Sequence, residues 1–158
     1  MHSLDELDLR ILAILQVDAS ISNQALAARV FASPATTLRR VHALKESGVI
    51  ERTVAVLSPE KLGNALTAIC EITLTEQNTE SFDAFERLVL PATAVTQCYR
   101  TAPTVDFTLI LTLKNMDEYN VLAQRLFSAA NNVRNVRTRF ATQRTKFNNY
   151  VPLPNVVV

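Results

Sequence analysis

Four basic residues and no acidic residue lie between positions 29 and 45, which gives this stretch a local charge of +4. They are Arg29, Arg39, Arg40 and Lys45. Residues 1–28 carry four acidic residues against one basic residue. The chain is nearly neutral as a whole, but its negative and positive charges are separated along the sequence. A local positive field of this kind suits phosphate binding. A solvated helix face has the same composition, so the elements that hold these residues must decide between the two interpretations.

Two serine helix caps frame the basic stretch. Ser22 precedes the run NQALAARV, and Ser33 precedes Pro34, a residue favoured at the first helical position. Gly48 is expected to end the second helix. Only two residues connect the helices, so they must cross steeply, as in helix-turn-helix units whose second helix enters the DNA major groove. The caps therefore favour DNA binding over a plain solvated face.

The second helix has one predicted buried side and one predicted polar side. Leu38, Val41 and Leu44 recur at helical spacing and predict a buried stripe, which turns the intervening residues towards solvent. Small residues at the helix start let its backbone approach base edges, and arginines are long enough for guanine or phosphate. The expected partner is double-stranded DNA. The predicted DNA-binding residues are Ser22, Asn23, Ser33, Pro34, Ala35, Thr36, Thr37, Arg39, Arg40, His42 and Lys45.

The length of 158 residues and the apolar share of 48% suffice for two small cores, and we predict two domains. The first, over residues 1–63, comprises a helix at Leu4–Leu15, the helix-turn-helix and an extended linker rich in β-branched residues at 49–57. The second covers residues 64–158. The acidic start lacks an apolar signal region, and no segment has eighteen uninterrupted apolar residues, so a cytoplasmic location is expected.

The second domain alternates strand and helix in the order βαββαβ. Its predicted elements are strands at 66–75, 94–101, 105–113 and 133–147 and helices at 81–90 and 117–130. Two such helices would cover one side of a four-stranded antiparallel sheet. Ile69, Ile72 and Leu74 belong to strands with apolar residues on both faces, so a sheet-to-sheet homodimer would cover the other side.

Segments spread over nearly the whole chain carry a family resemblance. They are LDELDLRILAILQ, ISNQALAARV, SPATTLRRVHALKESGVI, LSPEKLG, EITL, NMDEY and RTKFNNYVPL. Together they resemble the Lrp/AsnC (feast/famine) family of transcriptional regulators. The resemblance implies an α+β fold, with an N-terminal winged helix-turn-helix domain before a ferredoxin-like domain for effector binding and oligomerisation. It also implies dimers that commonly stack into octamers. Phe31 stands where the family usually has glycine, and Ser20 where it often has arginine.

The resemblance also implies an amino-acid effector, but the loop that would bind it departs from the family pattern. Responsive members usually carry Gly-Asp between the second and third strands, where this chain has Pro103-Thr104. Losing the glycine amide and the acid weakens an ordinary amino-acid site, so an architectural regulator without an effector stays an alternative. The candidate effector residues are Thr101, Ala102, Pro103, Thr104, Val105, Asp106 and Thr138.

An enzymatic function is the less favoured hypothesis. The only histidines are His2 and His42, and there is no glycine-rich phosphate loop. Some proteins related to this fold resemble tetrapyrrole decarboxylases, and such enzymes would be expected to keep histidines in the second domain. This chain has no histidine there. Cys70 and Cys98 lack the paired spacing of a metal site, so they are interpreted as reduced core residues, and no metal or cofactor is expected.

A second basic run, at 133–147, carries a charge of +5 with no acidic residue. The sequence leaves open whether this run contacts wrapped DNA or pairs with acids of a neighbouring subunit.

Overall fold

The computed structural model describes residues 4–154, which divide into two compact units. The first comprises the chain up to Val56 together with the segment from Lys146 onward, and the second comprises Leu57–Thr145. The predicted boundary lay at residues 63/64, and the predicted second domain included the carboxyl-terminal segment. That segment groups with the first unit, where the Val151 amide donates a hydrogen bond to Gln16 Oε1 at 3.1 Å.

Three helices build the first unit: α1 at Glu6–Leu15, α2 at Asn23–Val30 and α3 at Pro34–Glu46. Helix α1 begins two residues after the predicted start, because Asp5 caps it and accepts a hydrogen bond from the Asp8 amide at 2.9 Å. The Asp8 carboxylate in turn accepts from the Asp5 amide, which completes a capping box. The buried centre of the unit is formed by Ile11, Leu26, Val30 and Leu44.

The predicted linker forms neither a helix nor a hydrogen-bonded strand between residues 51 and 57. Its apolar side chains Val54, Val56 and Leu57 are exposed. No helix within the described range 4–154 combines the length and apolar character needed to cross a membrane.

The second unit has the predicted βαββαβ order. Its elements are β1 at Leu66–Leu74, α4 at Thr79–Val89, β2 at Val95–Arg100, β3 at Phe107–Leu113, α5 at Met116–Leu126 and β4 at Val133–Phe140. The strands form one antiparallel sheet, as predicted, and their order in it is β2-β3-β1-β4. Asn78 and Asn115 cap the two helices through their side-chain oxygens.

Two predicted ends were wrong by four or more residues. Helix α5 stops at Leu126 rather than residue 130, and a short 3₁₀ turn at Ala129–Asn131 follows it. Strand β4 stops at Phe140 rather than residue 147. Phe140 pairs with Ala68, near the start of β1, so few residues of β1 remain for a longer β4 to pair with.

Both helices cover one face of the sheet, as predicted. On that face every second residue of β1 and β3 is buried, and Phe85, Val89, Leu122 and Leu126 of the helices pack against them. The buried strand residues are Ala68, Cys70, Ile72, Leu74, Phe107, Leu109, Leu111 and Leu113. On the other face, Ile69 of β1 lies directly opposite Ile110 of β3, and both are only partly buried. The protomer therefore leaves an apolar pair at the centre of its open sheet face.

Candidate nucleic-acid interface and effector loop

The starts of α2 and α3 are capped and joined to each other. Ser22 Oγ accepts a hydrogen bond from the Ala25 amide at 3.2 Å, and Ser33 Oγ accepts from the Thr36 amide at 3.1 Å. Both serine caps are thus confirmed. Asn23 Nδ2 donates to the Pro34 carbonyl at 2.9 Å, which ties the first turn of α2 to that of α3. Two positive helix ends consequently lie close together, an arrangement suited to a phosphate backbone.

The buried side of α3 is rotated from the predicted one. Leu38 was predicted to be buried, but its side chain is 60% exposed, and Thr37 was predicted to face solvent but is fully buried. Thr37 tolerates burial because its hydroxyl donates to the Ser33 carbonyl at 3.0 Å, which satisfies its polar group. The stripe that faces the core is therefore Thr37, Val41 and Leu44. Thr37 cannot reach DNA from this position.

Arg40 binds within its own unit instead of facing solvent. Its Nη1 lies 2.9 Å from Asp5 Oδ2 and 3.2 Å from Asp8 Oδ2 of α1. The Asp8 side chain is fully buried, so Arg40 supplies the counter-charge that makes this burial tolerable. The hydrogen bond from the Asp8 amide, together with the nearby Arg40 guanidinium, lowers the pKa of the Asp5 carboxyl. The prediction that Arg40 is turned towards water was wrong, and the pair holds α3 against α1.

The remaining face of α3 is open. Ala35, Arg39 and His42 are exposed and follow one another at spacings of four and three residues, so they share one side of the helix. Within residues 4–154, Arg39 has no ion-pair or hydrogen-bond partner, whereas His42 Nδ1 lies 3.3 Å from Glu46 Oε2 on the same helix. This face therefore presents a small residue at the start of the helix and a free guanidinium one turn later.

Most of the other predicted DNA-binding residues are accessible. Ser22, Ser33, Pro34 and Lys45 are exposed, and Asn23 and Thr36 are partly buried. Sequence reasoning missed two features of this region. Asp5 and Asp8 are two of the four acidic residues counted before position 29, although their three-residue spacing is that of a capping box. Phe31 was noted only as a departure from a family pattern.

The candidate effector loop at 101–106 is closed by its own hydrogen bonds. The Thr101 amide donates to the Asp106 carbonyl, and Thr101 Oγ1 donates to the Val105 carbonyl, each at 2.9 Å. Asp106 Oδ2 accepts from the Leu74 amide at 2.7 Å and from Gln77 Nε2 at 3.2 Å. The one acid of the loop is therefore engaged in joining the loop to the end of β1. Ala102, Pro103 and Thr104 are exposed.

Thr138 does not join this loop within one protomer. Its hydroxyl lies 2.7 Å from Tyr119 Oη of α5, on the side of the sheet that the helices cover. Strands β1 and β3 separate β4 from β2, so Thr138 lies about 14 Å from Cys98 across the sheet and farther than that from the end of β2. The structure thus brings residues 101–106 together but leaves Thr138 apart from them.

The second basic run pairs in part with acids of its own chain. Arg139 Nη2 lies 2.8 Å from Glu71 Oε1 on the neighbouring strand, and Arg144 Nη2 lies 3.2 Å from Glu60 Oε1. Arg134 and Arg137 on β4 are exposed. Intrachain ion pairs therefore account for two of the five charges that the sequence left unassigned.

Both halves of the chain match described families. The winged helix-turn-helix DNA-binding model matches residues 4–51, and the Lrp/AsnC ligand binding domain model matches residues 67–151. An uncharacterized HTH-type transcriptional regulator of Haemophilus influenzae is 34% identical over 92% of this chain and 87% of its own length. The leucine-responsive regulatory protein of the same species is 31% identical over 96% and 91%. The crystal structure of an AsnC family regulator from Agrobacterium tumefaciens is similar with a TM-score of 0.89 and 30% identity, over 94% of this chain and 97% of that one.

Proposed function

The chain belongs to the Lrp/AsnC family of DNA-binding transcriptional regulators, and we propose that it reads its target sequence through the exposed side of α3. In this proposal Arg39 and His42 contact base edges in the major groove, and Ala35 allows the start of the helix to approach them. Ser22, Asn23 and the start of α2 contact phosphates, and so does Lys45. Ser33, Pro34 and Thr36 shape the helix start, Thr37 is assigned to the core, and Arg40 is assigned to the ion pair with α1.

The observation that carries the proposal is the Arg39 guanidinium, which has no ion-pair or hydrogen-bond partner within residues 4–154. It extends from a helix whose opposite side is fixed by Thr37, Val41, Leu44 and the Arg40 ion pair, so packing holds the backbone that carries Arg39. A guanidinium on a rigid helix is the group that most often recognises guanine in the major groove.

The test uses two DNA duplexes. The first, called the selected duplex, is the one that the full-length wild-type chain enriches from a random-sequence library, and the second is a scrambled version of it. Arg39→Ala should weaken binding to the selected duplex by about 1–3 kcal/mol and reduce discrimination between the duplexes. Arg29→Ala, which removes an exposed charge at the end of α2, is the matched control and should leave discrimination unchanged. Equal discrimination by Arg39→Ala and wild type would refute the assignment.

We also propose that the chain forms homodimers through the open sheet face and that these stack further into octamers. Support comes from the directly paired Ile69 and Ile110, which sit among threonines on the face that α4 and α5 do not cover. Arg139 and Glu71 lie on the same face and form an ion pair that needs no external partner. An apolar centre with a polar border is the pattern of a protein interface. We place the protein in the cytoplasm, where its DNA partner is available.

For the effector, we propose an amino acid or a related small molecule that binds weakly between subunits. A relative 31% identical to this chain is named for leucine response, which supports an amino acid as the class. Against tight binding stand Pro103, which has no amide donor, and Asp106, whose Oδ2 already accepts two hydrogen bonds. The same two observations favour the second candidate, a DNA-organising regulator of this fold that has no amino-acid effector.

We assign no catalytic activity to the chain. Its relatives over nearly the full length are transcriptional regulators, which is consistent with a binding function. Within residues 4–154 there is no group of three or more histidine, cysteine, aspartate or glutamate residues placed to hold a metal ion.

A further inference from the structure

Phe31 occupies a backbone conformation that few residues of its kind adopt. It ends α2 with φ 57° and ψ 44°, in the left-handed region. Glycine enters this region freely, whereas the Cβ of a bulky residue collides with the neighbouring carbonyl oxygen. Phenylalanine at this position therefore costs folding free energy that glycine would not.

Burial of the Phe31 side chain does not offset this cost inside the folded unit. The side chain is 88% exposed, the largest exposed fraction among the large apolar side chains of residues 4–154. Among the described residues its ring makes no aromatic pair and no contact with a cation. A strained backbone combined with an exposed aromatic ring points to a contact outside the protomer.

The position of Phe31 indicates what that contact is. Phe31 lies two residues before the Ser33 cap of α3, in the connection between α2 and α3. Directly after this connection, the hydrogen bond from Asn23 to the Pro34 carbonyl ties the start of α3 to α2. The connection leads directly into the start of α3, the helix that presents Arg39, and no acidic residue lies between positions 29 and 45. A ring beside the start of a groove-reading helix can reach thymine methyl groups and deoxyribose, the apolar groups of a DNA duplex.

We propose that Phe31 is a DNA-contacting residue whose ring packs on a thymine methyl or deoxyribose at the edge of the major groove. It adds an apolar contact to the polar contacts of Arg39, and a contact with a thymine methyl also contributes to target choice. The inference rests on DNA reading through α3, and it assigns to the connection between the helices a role beyond joining them.

The test compares full-length variants by fluorescence anisotropy on the selected and scrambled duplexes, by thermal denaturation and by light scattering. Phe31→Gly should relieve the strained backbone and raise the melting temperature by roughly 2–4 °C. The same variant should bind the selected duplex about tenfold more weakly, an effect of the size of one lost base contact. Phe31→Tyr keeps the ring and should bind within about threefold of wild type. Val17→Ala, which trims another exposed apolar side chain of the first unit, is the control and should change neither property.

A loss confined to the selected duplex would identify a thymine methyl, and an equal loss on both duplexes would identify deoxyribose. Wild-type affinity of Phe31→Gly for both duplexes would overturn the proposal, as would a lower melting temperature. A change in the oligomeric state of Phe31→Gly would also overturn it, because the ring would then belong to a contact between copies. If Arg39→Ala loses discrimination while Phe31→Gly binds both duplexes as wild type does, only the role of Phe31 fails and DNA reading through α3 stands.

Discussion

The adjacent arginines of α3 provide a paired prediction, because the structure gives them opposite roles. Arg40 contacts Asp5 and the fully buried Asp8 at 2.9 and 3.2 Å, whereas Arg39 has no such partner among the described residues. Arg40→Ala should therefore destabilise the folded protein, and Arg39→Ala should weaken DNA binding without destabilising it. The two substitutions remove the same side chain from neighbouring positions of one helix, so each is the control for the other.

The magnitude follows from the burial of Asp8. Removing one partner of a buried ion pair costs about 3–5 kcal/mol, because the other charge stays buried without its partner. The Arg40 side chain is 31% exposed, so water can partly replace it, and we expect a loss of about 2–3 kcal/mol. Arg39→Ala is a surface substitution and should change stability by less than about 0.5 kcal/mol. Against a typical stability of about 5–15 kcal/mol, the difference is easily measured.

The assay is urea unfolding followed by circular dichroism at a fixed protein concentration. Asp8→Asn in the Arg40→Ala background should recover part of the loss, since asparagine keeps an oxygen for the Asp5 amide but carries no charge. The double-mutant cycle isolates the coupling between the two residues. The reasoning is refuted if Arg40→Ala is as stable as Arg39→Ala, or if the cycle gives no coupling.

Three further expectations concern assembly, pH and the effector. Ile110→Glu, which puts a charge on the open sheet face, should yield monomers in light scattering. The control Val121→Glu, on the exposed side of α5, should not. Dimers in both cases would exclude the open sheet face as the interface. The pKa of Asp5 is lowered in the folded state, so its stabilising effect is complete above its ordinary value of 3.8 and is lost as the pH falls through the folded value. Acid unfolding of Asp5→Asn should consequently be shallower than that of wild type below about pH 4, and identical profiles would contradict the ion cluster. In calorimetry against the twenty amino acids, none should bind more tightly than roughly millimolar, or about −4 kcal/mol. A micromolar amino acid whose binding is abolished by Asp106→Ala would instead establish a sensor.

The order and faces of the second domain could be predicted because their signals are periodic. Phe107, Leu109, Leu111 and Leu113 alternate along one strand, and all four are buried under the helices. The serine caps could be predicted because each acts within three residues of itself. Signals of this short range are visible in a single sequence.

The rotation of α3 could not be predicted, because it depends on contacts between distant residues. A leucine ordinarily outranks a threonine for a core position. The Thr37 hydroxyl finds its partner only four residues away, in the Ser33 carbonyl, but Arg40 of the same helix pairs with Asp8, which lies 32 residues earlier. The hydrogen bond from the Leu74 amide to Asp106 also joins two residues that lie 32 positions apart. Charge counting identified the basic stretch, but the partners of each charge emerged only from the packing of α1 against α3.

The most direct test of DNA reading through α3 is the structure of the full-length protein bound to the selected duplex. The account predicts that α3 lies in the major groove, with the Arg39 guanidinium within about 3 Å of a base edge. It also predicts that Arg40 stays on Asp8 when DNA is bound. A complex in which α3 lies outside the groove, or in which Arg40 leaves Asp8 to contact a base while Arg39 points into solvent, would contradict it.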